Sequence, residues 1–283
     1  MILDGKMVAQ RIKDEMKEKV ADLNKKGISV GLTVIIVGDD PASRVYVNSK
    51  KKACEALGIN SQEFALPGDT SEEELLNLVR KLNEDDSVNG ILVQLPLPKH
   101  INEETVINTI DPQKDVDAFH PQNVGKIMIG NYDFLPCTPA GVMELIKDSG
   151  IDVTGKECVV LGRSNIVGKP QAMLLLHQNG TVTICHSRTQ NLKEVTKRAD
   201  ILVVGIGKPN FVTADMVKEG AVVIDVGINR MPDKTLCGDV DFAEVSKVAS
   251  AITPVPGGVG PMTIAMLMKN TVTAAICQNG WKD

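Results

Sequence analysis

The stretch from Glu157 to Pro170, ECVVLGRSNIVGKP, constrains this chain more than any other. An apolar run from Cys158 to Leu161 ends in Gly162, Gly168 follows six residues later, and an apolar-periodic segment resumes after Pro170. That order predicts a strand, a tight turn and a helix with proline among its first residues, where the missing N–H costs nothing. Such a turn lets backbone N–H groups approach a phosphate at the positive end of a helix. The two glycines do not spell G-x-G-x-x-G, so a strand-to-helix turn with no ligand stays open on this stretch alone.

Strands and helices alternate on both sides of it. Before it, a helix is expected from Gly5 to Leu23, with Val8, Ile12, Met16, Val20 and Leu23 on one stripe. A buried strand, Leu32 to Val37, leads to a helix from Arg44 to Leu57 that Ser43 can cap and Gly58 can end. Ser61 to Leu66 and Ile91 to Leu95 read as further strands. Ser71 with Glu74 reads as a capping box for a helix ending near Leu82, and Glu103 to Ile110 as a short helix. Periodicity then fades from Asp111 to Pro136, the expected domain crossing.

A helix from Cys137 to Ser149, with Thr138 as its cap, opens the second series. Its strands are Cys158–Leu161, Val182–Cys185, Ile201–Val204 and Val222–Val226; its helices are Pro170–Gln178, Leu192–Arg198, Ala214–Lys218 and Asp241–Val248. Prolines and glycines from Pro254 to Pro261 bar a regular element there, and a helix from Thr263 to Cys277 closes the chain. Both series are parallel α/β patterns, whose ligand sites form at the carboxyl ends of the strands. At 283 residues the chain is at the size where chains divide into two domains.

A net charge of -5, one Trp, two Tyr and five Phe argue against nucleic-acid binding, which needs a basic face and stacking rings. The six cysteines form no C-x-x-C, and Cys158 and Cys185 sit in apolar runs, so core thiols in a reducing cytoplasm are expected, with no metal. The N-terminus enters a charged amphipathic helix without a signal-peptide core, and no run nears the ~20 apolar residues that span a bilayer.

Two constellations could carry chemistry. After the strand ending at Cys185 stands His186-Ser187-Arg188, with no acid for the ribose hydroxyls of an unphosphorylated nicotinamide cofactor. Arg163, Arg188 and Ser187 suit the extra phosphate of NADP, because a guanidinium fork binds phosphate oxygens; the alternative is two solvated surface arginines. Gly205-Ile-Gly207-Lys-Pro is a second turn at the same sheet edge. In the first half, Tyr46 and Lys50 lie one helical turn apart near Cys54, so Lys50 can serve as a proton-transfer group, unless all of Lys50, Lys51 and Lys52 are solvated. Gln94 and Asp117 are polar groups where parallel-sheet sites form, and Asp115 with Asp117 is a weak acid–base or metal pair. His177 reads as structural and His100 as exposed at a turn.

Together these residues resemble the bifunctional methylenetetrahydrofolate dehydrogenase/methenyltetrahydrofolate cyclohydrolase family, called FolD in bacteria. The resemblance rests on YVNSKKKA (46–53), VQLPLP (93–98), KDVD (114–117), PCTP with Gly141, GRSNIVG (162–168) with Pro170, and PVPGGVGPMT (254–263), all in family order. It implies a folate-binding catalytic domain, residues 1–120, completed by the C-terminal helix 263–283, and a Rossmann-like NADP-binding domain, residues 138–260. It also implies folate in the cleft between them, a homodimer, no nucleic-acid or membrane partner, and a place in cytoplasmic one-carbon metabolism that serves purine biosynthesis. The implied activity is oxidation of 5,10-methylenetetrahydrofolate with hydride transfer to NADP, then hydrolysis to 10-formyltetrahydrofolate. Lys50 is then the central catalytic residue, Tyr46 orients the folate, Gln94 hydrogen-bonds the lysine and Asp117 holds the pterin ring; Leu95, Gly258, Val259 and Pro261 complete the substrate contacts. The implied cofactor contacts are Gly162, Arg163, Ser164, Ile166, Gly168, Ser187, Arg188, Gly205, Gly207 and Ile228. Ala118 stands where the family commonly has glycine. Two rivals remain: another two-domain NAD(P)-dependent dehydrogenase acting on a small acid, and a nucleotide-sensing α/β domain without turnover.

Overall fold

The computed structural model describes residues 1–280 and divides into two compact units. One comprises Arg11–Leu135 and Ile264–Asp283, the other Met1–Gln10 and Pro136–Thr263. The expected boundary therefore shifts at its start: the first ten residues group with the second series. The reason is backbone pairing, since Leu3 N–H donates to the Ile252 carbonyl at 2.9 Å and Ile252 N–H to the Met1 carbonyl at 3.0 Å. Residues 281–283 of the expected C-terminal helix lie outside the described residues.

Helix α1 (Gly5–Lys25) buries the expected stripe of Val8, Ile12, Met16, Val20 and Leu23. Strand β1 (Gly31–Val37) is buried at all seven positions, because it is the centre of a three-stranded parallel sheet in the order β2-β1-β3. Helix α2 (Pro41–Leu57) is capped by Asp40, whose carboxylate accepts from Ser43 N–H at 2.7 Å, and not by Ser43 as expected. Starting three residues earlier puts Pro41 at the first helical position, where its fixed φ suits the helix. Gly58, at φ 76°, closes it in the left-handed conformation. Strand β2 (Asn60–Leu66) is the half-exposed edge. The Ser71–Glu74 capping box opens helix α3 (Glu72–Asn83), and strand β3 (Gly90–Val93) stops short of the expected Leu95.

Helix α4 (Glu103–Thr109) follows, and then a helix the sequence did not announce, α5 (Pro121–Ile129). Its single turn of buried contact, Asn123 and Ile127, is too little to register as periodicity, but it has a His120 cap, Pro121 at its start and Gly130 at its end. This unit's core joins β1, α3, β3 and α4 through Ile35, Leu75, Val79, Ile91 and Val106, all with no solvent exposure.

The other unit opens with helix α6 (Cys137–Asp148), which has no side-chain cap; the Thr138 hydroxyl expected to cap it pairs with the Thr263 hydroxyl at 2.9 Å. Strand β4 (Glu157–Leu161), helix α7 (Gly168–His177), strand β5 (Thr181–Cys185), helix α8 (Leu192–Lys197), strand β6 (Ile201–Val204) and strand β7 (Val222–Asp225) alternate as expected. The expected helix Ala214–Lys218 shrinks to a 3-10 turn, Ala214–Met216, as Val217 turns extended and enters the core. A small hairpin of strands β8 (Asn229–Arg230) and β9 (Leu236–Cys237), a short helix α9 (Phe242–Val245) and strand β10 (Ala251–Ile252) complete it. The five parallel strands run in the order β10-β7-β6-β4-β5. Helix α10 (Val259–Gln278) starts four residues before the expected Thr263, which places Pro261 in its first turn, where proline is tolerated.

Candidate functional site

In the first unit the chemistry collects at the carboxyl ends of β1 and β3. Lys50, on the helix that follows β1, is 9% exposed, whereas Lys51 and Lys52 are solvated. Its ammonium donates to Gln94 Oε1 at 2.9 Å. Gln94 is itself fixed, because its Nε2 donates to the Leu95 carbonyl at 2.7 Å and its backbone N–H to the Ile35 carbonyl at 2.8 Å. A side-chain amide locked at both ends holds the ammonium at one point. Tyr46, one turn before Lys50, is 40% exposed.

The next loop gives the two aspartates that the sequence paired different surroundings. Asp115 is buried and accepts from His120 N–H at 2.8 Å and Asn123 Nδ2 at 2.9 Å; burial holds its carboxyl above the usual range. It fastens the start of α5 and is not half of an acid–base pair. Lys114 is likewise structural, donating to the carbonyls of Leu82 at 3.1 Å and Asp85 at 2.7 Å, with burial pulling its pKa down. Asp117 alone is left half-buried, and Asn270 Nδ2 steadies the loop through the Val116 carbonyl at 2.8 Å. Among the described residues, no three His, Cys, Asp or Glu are placed to hold a metal, and no helix is long and apolar enough to cross a membrane.

In the second unit the turn from β4 to α7 is built by close backbone approach. Gly162 has φ 130°, and a Cβ there would lie 2.3 Å from the Gly205 carbonyl oxygen; a Cβ on Gly168 would lie 2.3 Å from the Gly162 carbonyl oxygen. Only glycine fits either place. Ser164 Oγ folds back to accept from Val167 N–H at 3.2 Å and Gly168 N–H at 3.3 Å. A cavity of about 300 Å³ beside this turn is lined by Gly162, Arg163, Ser187 and Gly205, with His186, Lys208 and apolar Leu161, Leu192 and Ile206. Arg188 does not line it: that residue is exposed, with its backbone N–H on His186 Nδ1 at 3.1 Å. Ile166 is 42% exposed. Ile228 lines a separate cavity of about 160 Å³ with Gly258, Val259, Pro261 and Lys6.

These geometries meet a family pattern along the whole chain. The family models for the tetrahydrofolate dehydrogenase/cyclohydrolase catalytic domain and NAD(P)-binding domain match residues 3–117 and 136–279. The chain belongs to the tetrahydrofolate dehydrogenase/cyclohydrolase family. It is 72% identical to the bifunctional protein FolD of Acetivibrio thermocellus, over 98% of this chain and 97% of that one. Among solved structures it is similar to FolD from Campylobacter jejuni (54% identity, TM-score 0.96, 97% and 98% of the two chains). It is also similar to the Trypanosoma brucei methylenetetrahydrofolate dehydrogenase-cyclohydrolase complexed with NADP and an inhibitor (42% identity, TM-score 0.94, 97% of each chain).

Ala118, where the resemblance leads one to expect glycine, takes φ 56° with its methyl fully buried. The left-handed conformation that glycine would adopt freely is kept here by an L-residue. Sequence reasoning missed Asp225 and Asp239, two buried carboxylates behind the turns that follow β6 and β7. Asp239 accepts from the backbone N–H groups of Ile206 (2.6 Å), Gly207 (2.9 Å) and Lys208 (2.8 Å), and from Asn229 Nδ2 (2.8 Å). The amides of the Gly205–Lys208 turn are thus committed inside the protein and are not phosphate donors. Asp225 accepts from Gly227 (2.9 Å), Asp239 (3.0 Å) and Val240 (2.9 Å) N–H, yet burial outweighs these bonds and pushes its carboxyl up to about 6. The one available signal was an acid closing the apolar run AVVID.

Proposed function

We propose that this protein oxidises 5,10-methylenetetrahydrofolate to 5,10-methenyltetrahydrofolate with NADP and then hydrolyses the product to 10-formyltetrahydrofolate, with Lys50 as the proton-transfer group of the second step. The observation that carries the reading is the buried Lys50 ammonium held on Gln94 Oε1 at 2.9 Å. Family membership and the two-unit architecture support the paired activities.

The nucleotide unit suits a phosphorylated dinucleotide. Its cavity of about 300 Å³ is lined by Arg163, Lys208 and Ser187 and by no carboxylate. When bound there, NADP supplies the acceptor for a hydride. The substrate's one-carbon bridge lies between two nitrogens, so the cation left by hydride loss is stabilised within the substrate, and the protein's task in this step is to orient the reactants. No general base is needed at the carbon.

Hydrolysis makes different demands. Water adds to the bridge, one C–N bond breaks, and a proton must leave the adding oxygen and reach the departing nitrogen. Lys50 Nζ relays that proton, and Gln94 holds the amine in place for it. Tyr46 presents its ring to the folate, and Asp117 accepts hydrogen bonds from the pterin. Gly258, Val259 and Pro261 line the 160 Å³ cavity on the nucleotide unit. The resemblance further supports a cytoplasmic homodimer feeding one-carbon transfer such as purine biosynthesis, with no nucleic-acid or membrane partner; β5, one of the two edge strands of the five-stranded sheet, suits such pairing.

The test supplies purified protein with methylenetetrahydrofolate and either NADP or NAD, and follows reduced cofactor and methenyltetrahydrofolate by absorbance. Reduction of NADP with little methenyl product, beyond spontaneous hydrolysis, is expected. Methenyl product accumulating in step with reduced cofactor would remove the hydrolytic half, and reduction of neither cofactor would remove both. A dehydrogenase for small acids would instead leave folate untouched.

A further inference from the structure

We propose that Lys208, acting with Arg163, selects NADP over NAD by binding the 2′-phosphate that distinguishes them, and that Arg188 has no part in that choice. The proposal rests on the NADP-dependent reading above. It begins from charge. The cavity beside the glycine turn is lined by two cations, Arg163 and Lys208, together with the hydroxyl of Ser187, and no Asp or Glu lines it. Neither cation forms an ion pair with a carboxylate among the described residues, whereas Lys193, Lys218 and Arg198 of the same unit all do. Both cations are exposed to solvent, so their charges remain available to an anion that enters the hollow.

The position of Lys208 is set from both ends. Its backbone N–H is held on Asp239 Oδ1 at 2.8 Å, and its ammonium sits 5.2 Å from the centre of the Phe211 ring, a second residue of the cavity wall. A cation over an aromatic face is steadied without being neutralised. Because Asp239 also takes the amides of Ile206 and Gly207, these turn amides are turned away from a phosphate, and the positive charge of this wall is the Lys208 side chain. A phosphate monoester carries close to two negative charges at neutral pH, which a guanidinium fork and an ammonium point charge together can balance. Apolar Leu161, Leu192 and Ile206 in the same lining suit an adenine ring alongside. Arg188, exposed as Arg163 and Lys208 also are, stands outside the lining.

Equilibrium binding of NADP and of NAD, each measured by calorimetry without folate, tests this on four proteins: wild type, Lys208→Gln, Lys208→Arg and Arg188→Gln. Lys208 is exposed, so its variants are expected to fold, and thermal melts check that they do. Losing one charge-assisted contact predicts roughly a tenfold or greater weakening of NADP binding in Lys208→Gln. NAD affinity should hold within about twofold, since NAD lacks the group concerned. Lys208→Arg is expected to keep most of the preference, and Arg188→Gln all of it. An NADP-to-NAD affinity ratio unchanged by Lys208→Gln, or lowered by Arg188→Gln, overturns the proposal. If wild type binds NADP no more tightly than NAD, the cofactor reading itself fails and the assignment of Lys208 falls with it.

Discussion

The two units build their sites from different materials. On the proposed function, the catalytic unit works through side chains carried by regular elements: Lys50 on α2 meets Gln94 at the end of β3, and the elements would keep their shape without either. In the nucleotide unit, the shape of the proposed site rests on the path of the backbone, drawn close at Gly162 and Gly168 and tied from behind by Asp225 and Asp239. A side-chain site can lose its chemistry and keep its fold. A backbone site loses both together.

The largest test of that contrast is Gly162→Ala. A methyl 2.3 Å from the Gly205 carbonyl oxygen, at a φ of 130°, forces β4 and β6 loops apart. It is expected to cost about 3 kcal/mol of stability or more and to abolish tight NADP binding, read by thermal melts and calorimetry on the same protein. A variant with wild-type melting and wild-type NADP affinity would break the comparison.

Lys50→Met is the counterpart in the other unit. Cyclohydrolase activity should fall by about a hundredfold or more, the usual worth of a positioned proton-transfer group, while the dehydrogenase falls much less and NADP affinity is unchanged. Assaying both steps on one preparation decides it, and equal residual rates would sink the role given to Lys50.

Asp225 sharpens the comparison through pH. Its folded pKa of about 6 stands above the ordinary 3.8, so the folded protein holds a proton that the unfolded chain has released. The stability linked to this group is therefore full below pH 3.8 and is lost as pH rises through 6. The loss amounts to about 2 kcal/mol between pH 4 and 7. Urea melts across that range should show a shallower decline in Asp225→Asn than in wild type; parallel profiles would contradict the assignment. The smallest effect is expected from Ser71→Ala, far from either site in sequence, which removes the capping box of α3. It should cost about 1 kcal/mol in melts and leave both activities intact, as a site of side chains on stable elements requires.

The legible parts of this protein share a property: their cause is local. The α1 stripe, the fully buried β1, the Ser71 box and the glycine turn after β4 each follow from a few neighbouring residues. The illegible parts have distant causes. Helix α5 was hidden because little of it is buried, and the cap of α2 was misread because Asp40 and Ser43 are equally good capping types. In KDVD, nothing local shows that Lys114 is spent on the carbonyls of Leu82 and Asp85, and Asp115 on α5.

By itself, then, the order of residues determined the alternation of strands and helices, the family, and the identity of Lys50 and Gln94 as candidates, since periodicity, turn chemistry and motif spacing are all written along the chain. Only the tertiary structure decided which charges face a ligand. Asp239 lies 31 residues from Lys208 and still takes its backbone N–H, and that bond leaves the lysine side chain as the charge of the cavity wall. Burial and pairing across such separations arise when the sheet assembles, and no local pattern encodes them.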